Sequence, residues 1–191
     1  MSPRSKEQFE EIRQKSIQSI KEAALELFGH NGYHSTSISQ IAKAAGISKG
    51  LLYNYFENKE ALLEAIVMEA VEMGEVMMNE LMNATISAEE KLNQITEASF
   101  SIVQQDPHYW KLMTALAFQT DALASLMPVL KKKQEMAVNM MISIFTELGS
   151  EQPEEEALFY GAVLDGVMLH YMQMDDYPTE KMKKYVLDKF L

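Results

Sequence analysis

Apolar residues return every three or four positions through almost the whole chain, and no stretch sustains the alternation of a half-buried strand. The pattern predicts an all-α fold of nine or ten helices. The first is expected from about Lys6 to Phe28, with Phe9, Ile12, Ile20, Ala24, Leu27 and Phe28 on its apolar side and the run Gly29 to Gly32 ending it. A long helix should follow Asn58 as N-cap and reach about Met82, with Leu62, Leu63, Ile66, Val67, Ala70, Met77, Leu81 and Met82 inward. "SAEE" at 87–90 predicts a capping box, and Asp106–Pro107 a capped start with proline at the first helical position. Pro128 marks a further start and Gly149 its end. From Pro153 to Met174 runs a long, mostly apolar helix with acids in its first turn, where they suit the helix dipole. Pro178–Thr179 restarts the chain for a short helix to Phe190.

One stretch departs from this plan of long helices. "SISQIAKAAGISKGLLYNYF", Ser37 to Phe56, holds two helix starts separated by a glycine. Ser37 and Gln40 have the capping-box spacing, so a helix starts near Ile38. Gly46 breaks it after about two turns, and Ser48 is a fresh N-cap. Two short helices on a tight glycine turn form a helix-turn-helix. Ile41, Ala42, Ala45, Ile47, Leu52 and Phe56 make the inward set; Lys49, Gly50, Leu51, Tyr53 and Asn54 face outward, with Tyr55 toward one flank. A lysine, a phenol and free N–H groups on one exposed turn are the groups that hold phosphates and read base edges in a major groove.

Charge changes this picture only through its distribution. The formal net charge is −11, but residues 1–60 carry +1 and residues 61–191 carry −12. Contact with a polyanion therefore belongs to the N-terminal third. A division follows: a DNA-binding domain at 1–60, with its helix-turn-helix at 37–56, and an acidic helical domain at 61–191. The 191 residues need neither disulfide nor metal to build a core, and the absence of cysteine excludes disulfides, thiolate catalysis and cysteine-ligated metal. No apolar run approaches the roughly 20 residues needed to span a bilayer. The charged first residues lack the apolar core of a signal peptide. A cytoplasmic protein with no membrane partner is expected.

From Ala23 to Ile66 the chain resembles the TetR family of transcriptional regulators. The resemblance rests on Ala24 with Leu27–Phe28, Gly32–Tyr33, Thr36, Ile41–Ala42, Ala45 to Gly50, Leu52–Tyr53, Tyr55–Phe56 and Asn58–Lys59. It implies that Lys49, Gly50 and Tyr53 meet base edges or adjacent phosphates, that Thr36 and Ser37 anchor the first short helix on the backbone, and that Tyr55 and Lys59 hold phosphates. Ser48 caps the recognition helix. Ser39 stands where the family often has a base-reading arginine, which weakens that contact. Leu51 replaces a polar residue, and either packs on a thymine methyl or faces the protein.

The resemblance also implies a homodimer on a palindromic double-stranded DNA operator, most simply as a repressor released by a small apolar effector. The helices of Pro128–Leu148 and Pro153–Met174 would pair across the two-fold axis, with Phe159, Ala162, Val163, Gly166 and Val167 at the interface. Most of the 15 methionines lie in the body, and flexible, polarizable side chains suit an adaptable pocket. Met78, Met82, Phe100, Tyr109, Trp110, Met113, Phe118 and His170 are its candidate lining, against the plainer alternative of ordinary core. The four histidines show no metal-ligand spacing, and no phosphate loop, nucleophile elbow or dinucleotide fingerprint is present. Neither metal, cofactor nor enzymatic activity is expected. The rival is an all-α binding or adaptor protein whose helix-turn-helix serves protein contact.

Overall fold

The structure, a computed structural model, describes residues 6–191. Among them are nine helices and no strand: α1 (Lys6–Asn31), α2 (Ile38–Ala44), α3 (Lys49–Tyr55), α4 (Lys59–Asn83), α5 (Ala88–Gln105), α6 (Pro107–Ala117), α7 (Met127–Glu147), α8 (Pro153–Gln173) and α9 (Thr179–Phe190). The predicted caps set the starts. Asn58 Oδ1 accepts from the Ala61 N–H at 2.7 Å, and Asp106 Oδ1 from the Tyr109 N–H at 2.9 Å. Ser87 accepts from the Glu90 N–H at 3.1 Å, but that box is only half formed, because the Glu90 carboxylate takes a bond from the Gln94 amide instead.

Two expectations for α1 are corrected. The helix does not stop at Phe28 but continues to Asn31, and the left-handed turn falls at Gly32, φ +82°. Gly29 stays helical and serves a close approach instead, since a Cβ there would collide with the Leu112 side chain. Phe9 and Ile12, placed on the apolar side, are 59% and 42% exposed. Residues 7–15 are exposed throughout, so the apolar periodicity there is not buried in the core.

The helices group into two units. The first takes the chain up to Ala70 together with Leu112–Leu126. Ile20, Ala24, Phe28, Ile41, Leu52, Leu62 and Leu116 are buried in it. The expected boundary at 60/61 differs in both respects: the unit runs on into α4 and recruits the end of α6 and the turns after it. Leu112 opposite Gly29, and the Gln119 side chain bonded to the end of α1, give the reason for the second.

The second unit joins Val71–Lys111 to Met127–Leu191. Its core gathers Leu92, Ile95, Phe100, Ile144, Phe145, Tyr160 and Val186 from α5, α7, α8 and α9. The Phe145, Tyr160 and Phe190 rings meet at 5.2–6.0 Å, tilted or edge to face. Within this apolar core the Thr96 hydroxyl donates to the Leu92 carbonyl at 2.8 Å, so the Tyr160 phenol must donate to Thr96, also at 2.8 Å. Among the described residues, no helix is long and apolar enough to cross a membrane.

Candidate nucleic-acid interface

The first short helix is held at its start by a complete capping box. The Ser37 hydroxyl accepts from the Gln40 N–H at 3.3 Å, and the Gln40 side chain accepts from the Ser37 N–H at 2.7 Å. After α2 the chain turns at Gly46, φ +69°, where a residue with a Cβ would be strained. The Ile47 N–H then bonds back to the Ala42 carbonyl at 3.0 Å, closing the helix end. Ser48 caps α3 through the Leu51 N–H at 3.1 Å. Ile41, Ala42 and Leu52 are buried between the helices, which fixes the rotation of α3 and hence what it shows to solvent.

That outer surface carries Lys49 and Tyr53. The Lys49 ammonium lies 5.8 Å from the centroid of the Tyr53 ring, one helical turn away, and Tyr53 is 46% exposed. The pair presents an ammonium and a phenol side by side. Between them in sequence is Gly50, where a Cβ would meet no atom within 4 Å. Among the described residues nothing crowds that position, so its backbone is open to solvent. Ser39 is exposed, Ser37 and Ser48 are exposed as caps, and Leu51 is half-buried. Tyr55 borders a shallow groove with Phe9, Glu10, Ile12 and Arg13.

Two expected phosphate contacts are corrected. Thr36 is 2% exposed, and its hydroxyl bonds to the Leu27 and Gly32 carbonyls at 3.2 and 3.0 Å, so it closes the end of α1. The Lys59 ammonium turns inward to the Tyr33 and Thr36 carbonyls, both at 2.8 Å, and over the Tyr33 ring at 4.3 Å. Two of its three N–H donors are thereby used. Tyr33 is buried against Phe28, and burial, with the Glu60 charge nearby, pushes its phenol above the ordinary range. Gln119 was not legible as part of this unit; its amide bonds to the Phe28 carbonyl and the Tyr33 N–H from 86 or more residues away.

The candidate body residues are divided between the two units. Met113 and Phe118 belong to the first unit, and Phe118 is 78% exposed. Phe100, at 1% exposed, is packed core of the second unit, with Met78 and Met82 packed against that core. Tyr109 and Trp110 meet edge to face at 5.3 Å, and the Trp110 Nε1–H donates to the Ile102 carbonyl at 3.2 Å. His170 is exposed and stacks on Tyr177. Of the expected interface residues on α8, Val167 is buried in the intrachain core and Val163 is partly buried against it. Phe159 and Ala162 are exposed and Gly166 half-buried. Leu158 and Leu169 on the same helix are also exposed.

Two capped seven-residue helices on a left-handed glycine, with a basic and aromatic outer face, define a helix-turn-helix DNA-binding protein. Residues 20–66 match the family model described as bacterial regulatory proteins, tetR family. The chain is 30% identical over 155 residues to the HTH-type transcriptional regulator BetI of Escherichia coli (strain K12), covering 78% of this chain and 77% of that protein. It is 35% identical over 104 residues to the fatty acid metabolism regulator protein of Bacillus subtilis (strain 168), a match spanning 54% of this chain and about half, 53%, of that relative. A solved structure of the fatty acid degradation regulator FadR from Bacillus halodurans superposes with a TM-score of 0.72 at 25% identity, covering 91% of this chain and 96% of the other. The chain belongs to the TetR family of bacterial regulatory proteins and is a DNA-binding transcriptional regulator. The adaptor alternative is set aside.

Proposed function

We propose that the protein is a non-enzymatic, cytoplasmic repressor that binds an inverted-repeat operator as a homodimer and leaves it when a small apolar effector binds. Lys49, Gly50 and Tyr53 meet base edges or adjacent phosphates, with Ser37, Ser39, Ser48, Leu51 and Tyr55 around them. The observation that carries this reading is the exposed Lys49–Tyr53 pair flanking a glycine that the protein's own packing leaves open. The near-neutral N-terminal third beside a strongly acidic remainder supports the same orientation toward DNA.

A single α3 offers modest affinity, and two-fold pairing places two of them roughly 34–36 Å apart, on successive major grooves. Exposed Leu158, Phe159, Ala162 and Leu169 on α8 support a partner there. An effector that binds preferentially to a conformer with mismatched reading heads lowers operator affinity by its differential affinity for the two states. Met78 and Met82 on the Phe100 core are the side chains that would adapt to it. The names of two relatives concern fatty acid metabolism or degradation, which makes acyl compounds the first effectors to assay. Selection from a random duplex pool tests the operator reading. An enriched inverted repeat with half-sites one helical turn apart supports it; a lone unrepeated site, or no enrichment, contradicts it.

A further inference from the structure

The connector from α1 to α2 is held by a side chain that comes from outside the matched module. Gln119 Oε1 accepts from the Tyr33 N–H at 2.7 Å, and Gln119 Nε2 donates to the Phe28 carbonyl at 3.0 Å and, longer, to the Ala115 carbonyl at 3.4 Å. One amide thus bridges the last turn of α1 and the first residue after the Gly32 turn. Its own base is fixed: the Gln119 N–H bonds to Leu116, and the Gln119 carbonyl accepts from the Ala122 and Leu123 N–H groups. Leu112, seven residues earlier, seats against Gly29 with no room for a Cβ. On the other side of Tyr33, its carbonyl accepts from Lys59. Tyr33 is therefore held at N–H and carbonyl by two side chains, and four residues further on Ser37 caps the start of α2.

We propose that Gln119 is a positioning residue for operator recognition. Its amide fixes the path of residues 28–36 and so the place where α2 and α3 start. Leu112–Leu126 is then an integral part of the DNA-reading unit, which a fragment ending near residue 66 or 70 lacks. Gln119 acts through Tyr33 and not by contact with DNA. The inference rests on the reading that α3 meets DNA, and its test separates the two.

The probe is the duplex that the wild-type protein selects from a random pool, and all variants are full length. Gln119→Met keeps the volume and loses all three side-chain bonds; it should weaken binding roughly tenfold with unchanged helix content. Gln119→Glu keeps the acceptor, but donates to Phe28 only when protonated. Relative to wild type at each pH, its binding should be weak at pH 8 and recover toward pH 5 as the carboxyl gains its proton. The ratio is the readout because His34 and Asp121 line the same groove. Amide exchange in the absence of DNA gives a second readout, with Tyr33 and also Ser37 losing protection in Gln119→Met. A ratio for Gln119→Glu that stays flat with pH, or a Ser37 amide as protected in Gln119→Met as in wild type, overturns the proposal. If the wild type selects no duplex, the DNA contact fails instead, and amide exchange still decides the role of Gln119.

Discussion

The Lys59 ammonium stands 4.3 Å from the centroid of the Tyr33 ring and donates to the Tyr33 carbonyl at 2.8 Å. The first residue of α4 thereby closes the loop that leads into α2. Lys59→Met removes the ammonium donor from the Thr36 carbonyl and leaves the Tyr33 carbonyl only its bond from the Thr36 N–H, and should cost about 1–3 kcal/mol in urea unfolding. Because the ammonium is engaged inside the protein, the salt dependence of DNA binding should not change. A slope shallower by about one would restore the phosphate role.

Gly50 and Gly46 should respond in opposite ways. A Cβ at Gly50 meets open space within α3, so Gly50→Ala should leave stability unchanged or raise it by up to about 1 kcal/mol, while weakening binding where DNA approaches the backbone. Gly46→Ala forces a side chain into φ +69° and should destabilise by about 1 kcal/mol or more. Thermal unfolding and DNA titration of both variants check this.

Burial pushes the Tyr160 phenol from its ordinary 10.0 up to about 12. The folded state therefore holds its proton where the unfolded chain has released it, and stability falls as pH rises from 10 to 12. The loss should reach about 2–3 kcal/mol. Unfolding free energies of Tyr160→Phe should lack this component, so the two proteins should diverge progressively above pH 10. Parallel profiles would contradict the burial argument.

Leu158 and Phe159 on α8 are 54% and 55% exposed, with Ala162 beside them. Leu158→Glu, or Ala162→Arg, should turn a dimer into a monomer in light scattering with helix content intact. Operator affinity should fall by about a hundredfold or more as bivalent binding is lost. A variant that remains dimeric would move the interface elsewhere.

The parts written into local sequence were legible. Ser37, Gln40, Gly46, Ser48 and Asn58 announce themselves because a cap or a left-handed turn needs particular side chains within three or four residues. The inward set of the helix-turn-helix followed from periodicity for the same reason. What periodicity cannot supply is the identity of the far partner. An inward-turned Lys59 and a surface lysine look alike in sequence, and a glutamine 86 residues from Tyr33 carries no spacing signal. The run Gly29 to Gly32 reads as one helix stop because glycine marks both turns and close approaches, and only the Leu112 contact sets Gly29 apart from Gly32. On α8, Val163 and Val167 share an apolar helix with Leu158 and Leu169, so composition alone does not say which face meets the chain's own core.

The most direct test of the DNA-reading face is the salt dependence of binding to the selected duplex, measured for the wild type, Lys49→Ala and the Lys49→Ala/Tyr53→Ala double variant. Log affinity of the wild type should fall linearly with log salt; Lys49→Ala should lower that slope by about 0.9. The double variant should lose its preference over random duplex at native stability. A double variant that keeps both the wild-type slope and the wild-type preference would show that α3 does not read DNA through this pair.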